Sequence, residues 1–351
     1  MPRHDLIKPK VLSKGSRIAV ITPSWGGPEK FPHRYEAGLR ALRDNFGVEV
    51  VEMPHTRKEE VWLTKNPQAR ADDIMAAFLD PSVDGIIASI GGDDSVRLLS
   101  HIDFNVIKKN PKVLMGYSDT TSIHFMCLHA GLSTFYGPSI MAGFAENGGM
   151  HDYTRRSVIK TLFETAAIGQ IDPAPGWTIE RMDWGNPDHQ NQARKVIPGG
   201  QYYLLNGHGT VSGHLIGGCI EVLEMLKGTS IWPSIDMWRG AILFLETSED
   251  HPPKDYIKYW LRNYGSQGIL DVLSGIIIGR PQEKPDHQNI YDDTITGVIR
   301  DEFGRNDLPI LSHMNFGHTD PMFVLPYGAV AEIDCTHKRF SITESGTVPS
   351  L

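Results

Sequence analysis

Lys112-Val113-Leu114-Met115-Gly116-Tyr117-Ser118-Asp119-Thr120-Thr121 runs from an apolar strand into the start of a helix, with a serine at the turn between them. A serine in that place presents its hydroxyl at the C-terminal edge of a sheet, with the backbone N–H of Asp119 beside it. The same Ser-Asp-Thr-Thr string after a glycine is also a good cap for a helix. A nucleophile elbow usually has a second small residue two positions after the serine, and Thr120 stands there instead. The motif therefore needs partners elsewhere in the chain.

Working outward, Arg17-Ile18-Ala19-Val20-Ile21-Thr22-Pro23 reads as a first buried strand that enters a Pro/Gly-rich loop, Ser24 to Pro28, and then a helix through Tyr35, Leu39 and Leu42. Val48 to Val51 is a second strand, and Ala69 to Leu79 a helix with apolar residues at helical spacing. Asp84 to Ile90 is a third strand ending at Gly91-Gly92, followed by a helix through Val96, Leu98 and Leu99. The fourth strand delivers Ser118. This alternation predicts right-handed crossovers and a mostly parallel sheet, whose ligands bind beyond the carboxyl ends of the strands. Gly91-Gly92 and Ser118 both fall on that edge.

From Gly169 to Gly200 the pattern gives way to an irregular stretch rich in Pro, Gly and Trp, the composition of a linker or an active-site cover. The expected division is residues 1–168 as an N-terminal α/β domain, 169–200 as linker and long loop, and 201–351 as a C-terminal domain. The last part restarts with a segment from Gly209 to Gly217, a helix from Cys219 to Leu226 and the strand Ala241–Leu245. A helix through Tyr256, Tyr259 and Tyr264 follows, then the strand Gly275–Gly279, Pro309–Leu311, and a β-rich tail over Phe323–Asp334 and Arg339–Thr343.

A length of 351 residues suits two domains, and 40% hydrophobic with 22% charged residues is globular. The net charge of −8 argues against nucleic acid or an anionic membrane as partner and favours a small molecule or peptide. Cys127, Cys219 and Cys335 are odd in number and widely spaced, so no disulfide framework or zinc knuckle is expected. The N-terminus lacks an apolar leader and no run reaches membrane-spanning length, so a cytoplasmic location is expected.

If Ser118 attacks a carbonyl, it needs a base and a group to orient that base. His124 and His129 lie five apart on the helix after Ser118, about 140° around its axis, a poor metal pair and more in keeping with packing or surface roles. His318 sits in the Gly/Pro-bounded loop Asn315-Phe316-Gly317-His318-Thr319-Asp320-Pro321, where a rigid scaffold can hold a base, and His313 is its rival. Glu246 follows directly on an apolar strand and can orient an imidazole. It equally suits a solvated loop, because Glu249 and Asp250 come close behind.

Gly116-Tyr117-Ser118-Asp119-Thr120, Leu243-Phe244-Leu245-Glu246, and Gly317-His318 followed by Leu325-Pro326-Tyr327-Gly328 together resemble the LD-carboxypeptidase family of serine peptidases, over nearly the whole chain. The fold this implies is α/β: an N-terminal, mostly parallel sheet domain of the flavodoxin or glutamine-amidotransferase kind, and a C-terminal α/β domain with a β-rich tail. The resemblance implies Ser118 as nucleophile, Glu246 as orienting acid and His318 as general base, assembled across the domain interface. It also implies an oxyanion hole from the backbone N–H groups of Gly92 and Asp119, with the Gly91-Gly92 turn facing the nucleophile. No metal or organic cofactor is implied, and a homodimer is.

The tryptophan-bearing loop and Ser212-Gly213-His214-Leu215-Ile216-Gly217-Gly218 look more like the microcin-immunity branch than the murein-recycling one. In that branch an aromatic residue of the loop stacks on the adenine of a peptidyl or aminoacyl nucleotide, which points to Trp184 first and Trp177 second. Two residues depart from the pattern. Cys219 stands where the family commonly has a substrate-binding Asn, and the loop after Glu246 is acidic where some microcin-immunity proteins carry a lysine. The function expected is thus amide hydrolysis of a peptidyl or aminoacyl nucleotide. The alternatives are a murein tetrapeptide carboxypeptidase or, more remotely, a non-catalytic binding protein. Gly91-Gly92-Asp93-Asp94 is also similar to the Gly-Gly-Asp-Gly turn of NAD kinases, but Asp94 puts a negative charge where a phosphate would approach.

Overall fold

Central strands of a parallel sheet are covered on both faces and so read as unbroken apolar runs, which is the character of β1 (Arg17–Ile21), β3 (Gly85–Ala88) and β4 (Val113–Gly116), buried along nearly their whole length. With β2 (Glu49–Glu52) and β5 (Phe135–Tyr136) they form a parallel sheet in the order β2-β1-β3-β4-β5. The computed structural model describes residues 6–350; the residues read above for a leader begin outside that range, in 1–5. The helix Pro32–Phe46 covers one face of this sheet, started by Pro32 and stopped by Gly47 in the left-handed conformation. The helices Pro67–Leu79 and Thr120–His129 cover the other face.

The connections reverse direction between β1 and β3, and ligands in such sheets sit in the crevice at that reversal. Two loops meet there, Ser24-Trp25 after β1 and Gly91-Gly92 after β3. The helix expected through Val96–Leu99 is a 3₁₀ turn over Ser95–His101, because Ser95 is held by the buried Asp119 at its first residue.

The second sheet is mixed. Its strands are β6 (Gly169–Gln170), β9 (Tyr203–Asn206), β10 (Thr210–Cys219), β11 (Ile242–Glu246), β12 (Gly275–Gly279), β13 (Ile310–Met314), β15 (Val330–Asp334) and β16 (Arg339–Ile342), after counting the small ribbon of β7 (Gly176–Trp177) with β8 (Ile197–Pro198) and the return strand β14 (Leu325–Pro326). The order is β6-β16-β15-β10-β11-β12-β13-β9, with β10 to β13 parallel. β14 does not join it. Leu325 pairs with Tyr136 and Pro326 with Phe135, so the C-terminal half of the chain adds an antiparallel edge to the first sheet.

One hydrophobic core runs through both sheets, from Leu114 and Phe125 to Phe244, Phe316 and Tyr327. The carboxyl ends of β4 and β11 therefore face each other across a packed interface rather than across solvent. The 169–200 stretch is tied down by Arg194, whose Nη2 meets Asp320 Oδ2 at 2.5 Å and whose Nε donates to Glu146 Oε1 at 2.8 Å. Among the described residues no helix is long and apolar enough to cross a membrane.

Candidate active site

Ser118 adopts φ = 59°, the left-handed region that a non-glycine residue rarely enters. The strain is held by close packing. A Cβ on Gly116 would lie 2.7 Å from Thr120 Oγ1 and 3.0 Å from Ala88 Cβ, so the glycine lets the turn sit on β3. Thr120 thus fills the place where a small residue is usual: its side chain packs against the glycine four residues earlier. Thr121 Oγ1 donates to the Ser118 carbonyl at 2.7 Å and accepts from the Cys219 N–H at 3.2 Å, which ties the turn to the end of β10.

The Gly91-Gly92 loop lies against the serine. A Cβ on Gly91 would come within 2.9 Å of both Ser118 Cβ and Oγ. Gly92 has φ = 140°, and a Cβ there would meet Ser24 Oγ at 2.3 Å. Asp119 fastens this loop: its fully buried carboxylate accepts from the N–H groups of Asp94 at 3.0 Å and Ser95 at 2.9 Å. Burial raises the Asp119 carboxyl above its usual range, and these donors oppose the rise. Among the described residues, the backbone N–H groups of Gly92 and Asp119 donate to no protein acceptor.

Glu246, the last residue of β11, is buried. Its Oε2 accepts from Nδ1 of His318 at 2.7 Å, and its Oε1 accepts from the Tyr136 hydroxyl at 2.5 Å. The same hydroxyl accepts from the Ser118 N–H at 3.1 Å. Tyr136, on β5, thereby joins the serine turn of one sheet to the carboxylate of the other. Gly317 makes the approach of His318 feasible, because a Cβ there would lie 2.5 Å from Glu246 Oε2.

The second nitrogen of His318 is engaged as well: Nε2 lies 3.0 Å from Glu249 Oε2. Burial alone would push this imidazole down, but Glu246 and then Glu249 outweigh it and hold its pKa well above the ordinary value. The same contact, against burial, takes the Glu249 carboxyl down to about 2. Glu249 is placed by its neighbours. Glu221 Oε1 accepts from the N–H of Ser248 at 2.8 Å and its hydroxyl at 2.7 Å, and Arg181 donates to the Glu249 carbonyl at 3.2 Å.

His313 is elsewhere. It is buried in β13, its Nε2 3.0 Å from the Gln288 carbonyl oxygen, and burial lowers its pKa. His124 bonds Thr134 Oγ1 and the Gly116 carbonyl within the core, and the His129 ring packs on Phe104.

A cavity of about 310 Å³ opens on this constellation, lined by Ser118, Gly92, Trp25, Cys219 and Glu249 among others. Cys219 is a buried thiol, pushed well up by burial with Glu246 and Glu221 adding to it, and it donates to Glu221 Oε2 at 3.3 Å. Trp184 does not line the cavity. Its ring lies 6.5 Å from that of Trp25, edge-on to Phe31, with the Arg34 guanidinium 4.0 Å above it. Trp177 is buried in β7, with the Arg280 guanidinium 4.9 Å from its ring. Tyr136 and Trp25 went unread in the sequence, and Glu249 was read only as part of a solvated acidic loop. Only Trp25, an aromatic residue in the Pro/Gly loop at the sheet's C-terminal edge, carried a usable signal. Among the described residues no group of three or more His, Cys, Asp or Glu could hold a metal ion.

Residues 18–137 match the LD-carboxypeptidase N-terminal domain and residues 212–333 its C-terminal domain. The microcin C7 self-immunity protein MccF of Escherichia coli is 28% identical over 342 residues, 95% of this chain and 94% of that protein. A Bacillus subtilis protein named a probable murein peptide carboxypeptidase is 26% identical over 97% of this chain and 95% of its own length. Among solved structures, an MccF-like protein from Streptococcus pneumoniae in complex with AMP superposes with a TM-score of 0.84 at 30% identity, covering 93% of this chain and 98% of that one. MccF with aspartyl sulfamoyl adenosine gives 0.85 at 27% identity, covering 97% and 100%. The chain belongs to the LD-carboxypeptidase family and is a serine peptidase.

Proposed function

We propose that this member of the LD-carboxypeptidase family hydrolyses an amide bond by way of an acyl-enzyme on Ser118. His318 acts as general base and acid, and Glu246 holds its tautomer. The observation that carries the reading is the 2.7 Å contact between His318 Nδ1 and Glu246 Oε2, on a histidine whose other nitrogen touches a residue lining the Ser118 cavity. In the first step Nε2 takes the Ser118 proton as Oγ adds to the carbonyl. The oxyanion is received by the N–H groups of Gly92 and Asp119, and Nε2 then protonates the leaving nitrogen. Water repeats the sequence to release the acid.

The substrate class we favour is a peptidyl or aminoacyl nucleotide, supported by the AMP and aspartyl sulfamoyl adenosine bound in the related structures. Murein tetrapeptide is the second reading. It is favoured by the cavity lining, which includes no Lys or Arg to meet a nucleotide phosphate. Mass-spectrometric product analysis with both substrates tests the proposal. The native protein cleaves one of them and Ser118→Ala cleaves neither; turnover retained in that variant would sink the mechanism.

A further inference from the structure

Two features of the Ser118 cavity are not used by the reaction just described. The first is its charge. Glu60, Asp93, Asp94, Glu221, Glu249 and Asp250 line it, and no Lys or Arg does. Asp94 is neutralised by Arg70 at 2.6 Å and Arg97 at 3.1 Å, and Glu60 accepts from the Trp25 indole at 3.1 Å. The side chains of Asp93 and Asp250 have no partner among the described residues. The second feature is the hold on the base. Nε2 of His318, the nitrogen that must receive the Ser118 proton, lies 3.0 Å from the Glu249 carboxylate instead, and Ser118 Oγ makes no hydrogen bond within the described residues. An imidazolium held between two carboxylates carries a proton on each nitrogen and cannot accept another.

We propose that Glu249 is a specificity latch. It holds Nε2 of His318 away from Ser118 until a protonated amine on the substrate, drawn in by the acidic cavity, takes the Glu249 carboxylate for itself. The inference rests on the Ser118 and His318 roles proposed above and adds the substrate's chemistry to them. With Glu249 withdrawn, His318 keeps only Glu246 as a charged partner, so its proton affinity falls. The Nε2 proton passes to water, and the neutral nitrogen can then accept from Ser118. Glu249 is suited to such movement: its side chain is 49% exposed, while that of Glu246 is 1% exposed. The other groups about His318 do not compete for Nε2. The Tyr117 ring lies 5.0 Å away, Tyr136 is spent on Glu246, and Asp320 is paired with Arg194.

The test is the rate at which a fluorophosphonate labels Ser118 as a function of pH, in the native protein and in Glu249→Gln. Here Oγ bonds phosphorus as fluoride leaves, and no knowledge of the substrate is needed. The variant loses one carboxylate from the base, so its midpoint moves to lower pH and its labelling below both midpoints is faster, by about tenfold for each unit moved. Glu249→Asp, which keeps the charge but shortens the reach, falls between the two. Murein tetrapeptide and an aminoacyl sulfamoyl adenosine, each with its amine free or acetylated, read the substrate side. The native protein prefers whichever substrate it cleaves in its free-amine form, and Glu249→Gln narrows the preference by accelerating the acetylated form. Labelling with an unchanged midpoint, or a variant slower at every pH, overturns the latch and leaves the hydrolase standing. An unlabelled native protein overturns the hydrolase reading itself.

Discussion

The two sides of the site are built from different materials. The serine side is backbone: a left-handed residue, three glycines with no room for a methyl, and amides tied to one buried carboxylate. The histidine side is charge: an imidazole between two carboxylates, one of which is half exposed. Backbone geometry in a close-packed interior changes little without local unfolding, whereas ion pairs at a cavity rim respond to pH and to whatever enters. The serine turn is thus set by folding, and the charge on the histidine is set by conditions.

The sharpest way to separate the two sides is Ser118→Ala, expected to cost about 10⁴–10⁶-fold in kcat with the base side unaltered. Fluorescence or calorimetric unfolding should show an intact fold. Gly91→Ala tests the backbone side. A methyl 2.9 Å from Ser118 Oγ displaces the loop that carries Gly92, and the expected loss is about 10²–10³-fold in kcat/KM, with the pH midpoint unmoved. A shifted midpoint would mean that the two sides are not independent.

Tyr136→Phe probes the join between them. It leaves Glu246 Oε1 without a donor and the Ser118 N–H without an acceptor, for an expected loss of about 1–3 kcal/mol of stability and ~10–100-fold in kcat. Thermal unfolding and steady-state kinetics read these separately. Trp184→Ala should do least. Among the described residues Trp184 reaches the cavity through Trp25, so on the nucleotide reading proposed above AMP binding by calorimetry should weaken by about five- to tenfold. Turnover of murein tetrapeptide should stay as it was.

Much of the first sheet was legible because its strands are covered on both faces and cannot alternate polar with apolar residues. β5 was not, because two residues carry no period, and with it went Tyr136. The serine turn could be read from Gly116 and Ser118. The choice between His313 and His318 came from family likeness, since both lie in one Pro/Gly-bounded stretch and differ only in that β13 buries His313 against the Gln288 carbonyl. Glu249 looked like part of a solvated loop, and its exposure is in keeping with that. Its partner lies 69 residues away in sequence, beyond any local pattern.

β14 crosses from one half of the chain to the other to pair with the strand that bears Tyr136. During synthesis on a ribosome, that strand has an open edge until residues 325 and 326 emerge, after both Glu246 and His318 have been made. An N-terminal fragment ending before Glu246 would carry Ser118 but neither the strand that closes its sheet nor the histidine and glutamate proposed to act with it. The two halves therefore cannot be prepared as separate modules and mixed without first solving an assembly problem that the single chain solves by its own connectivity.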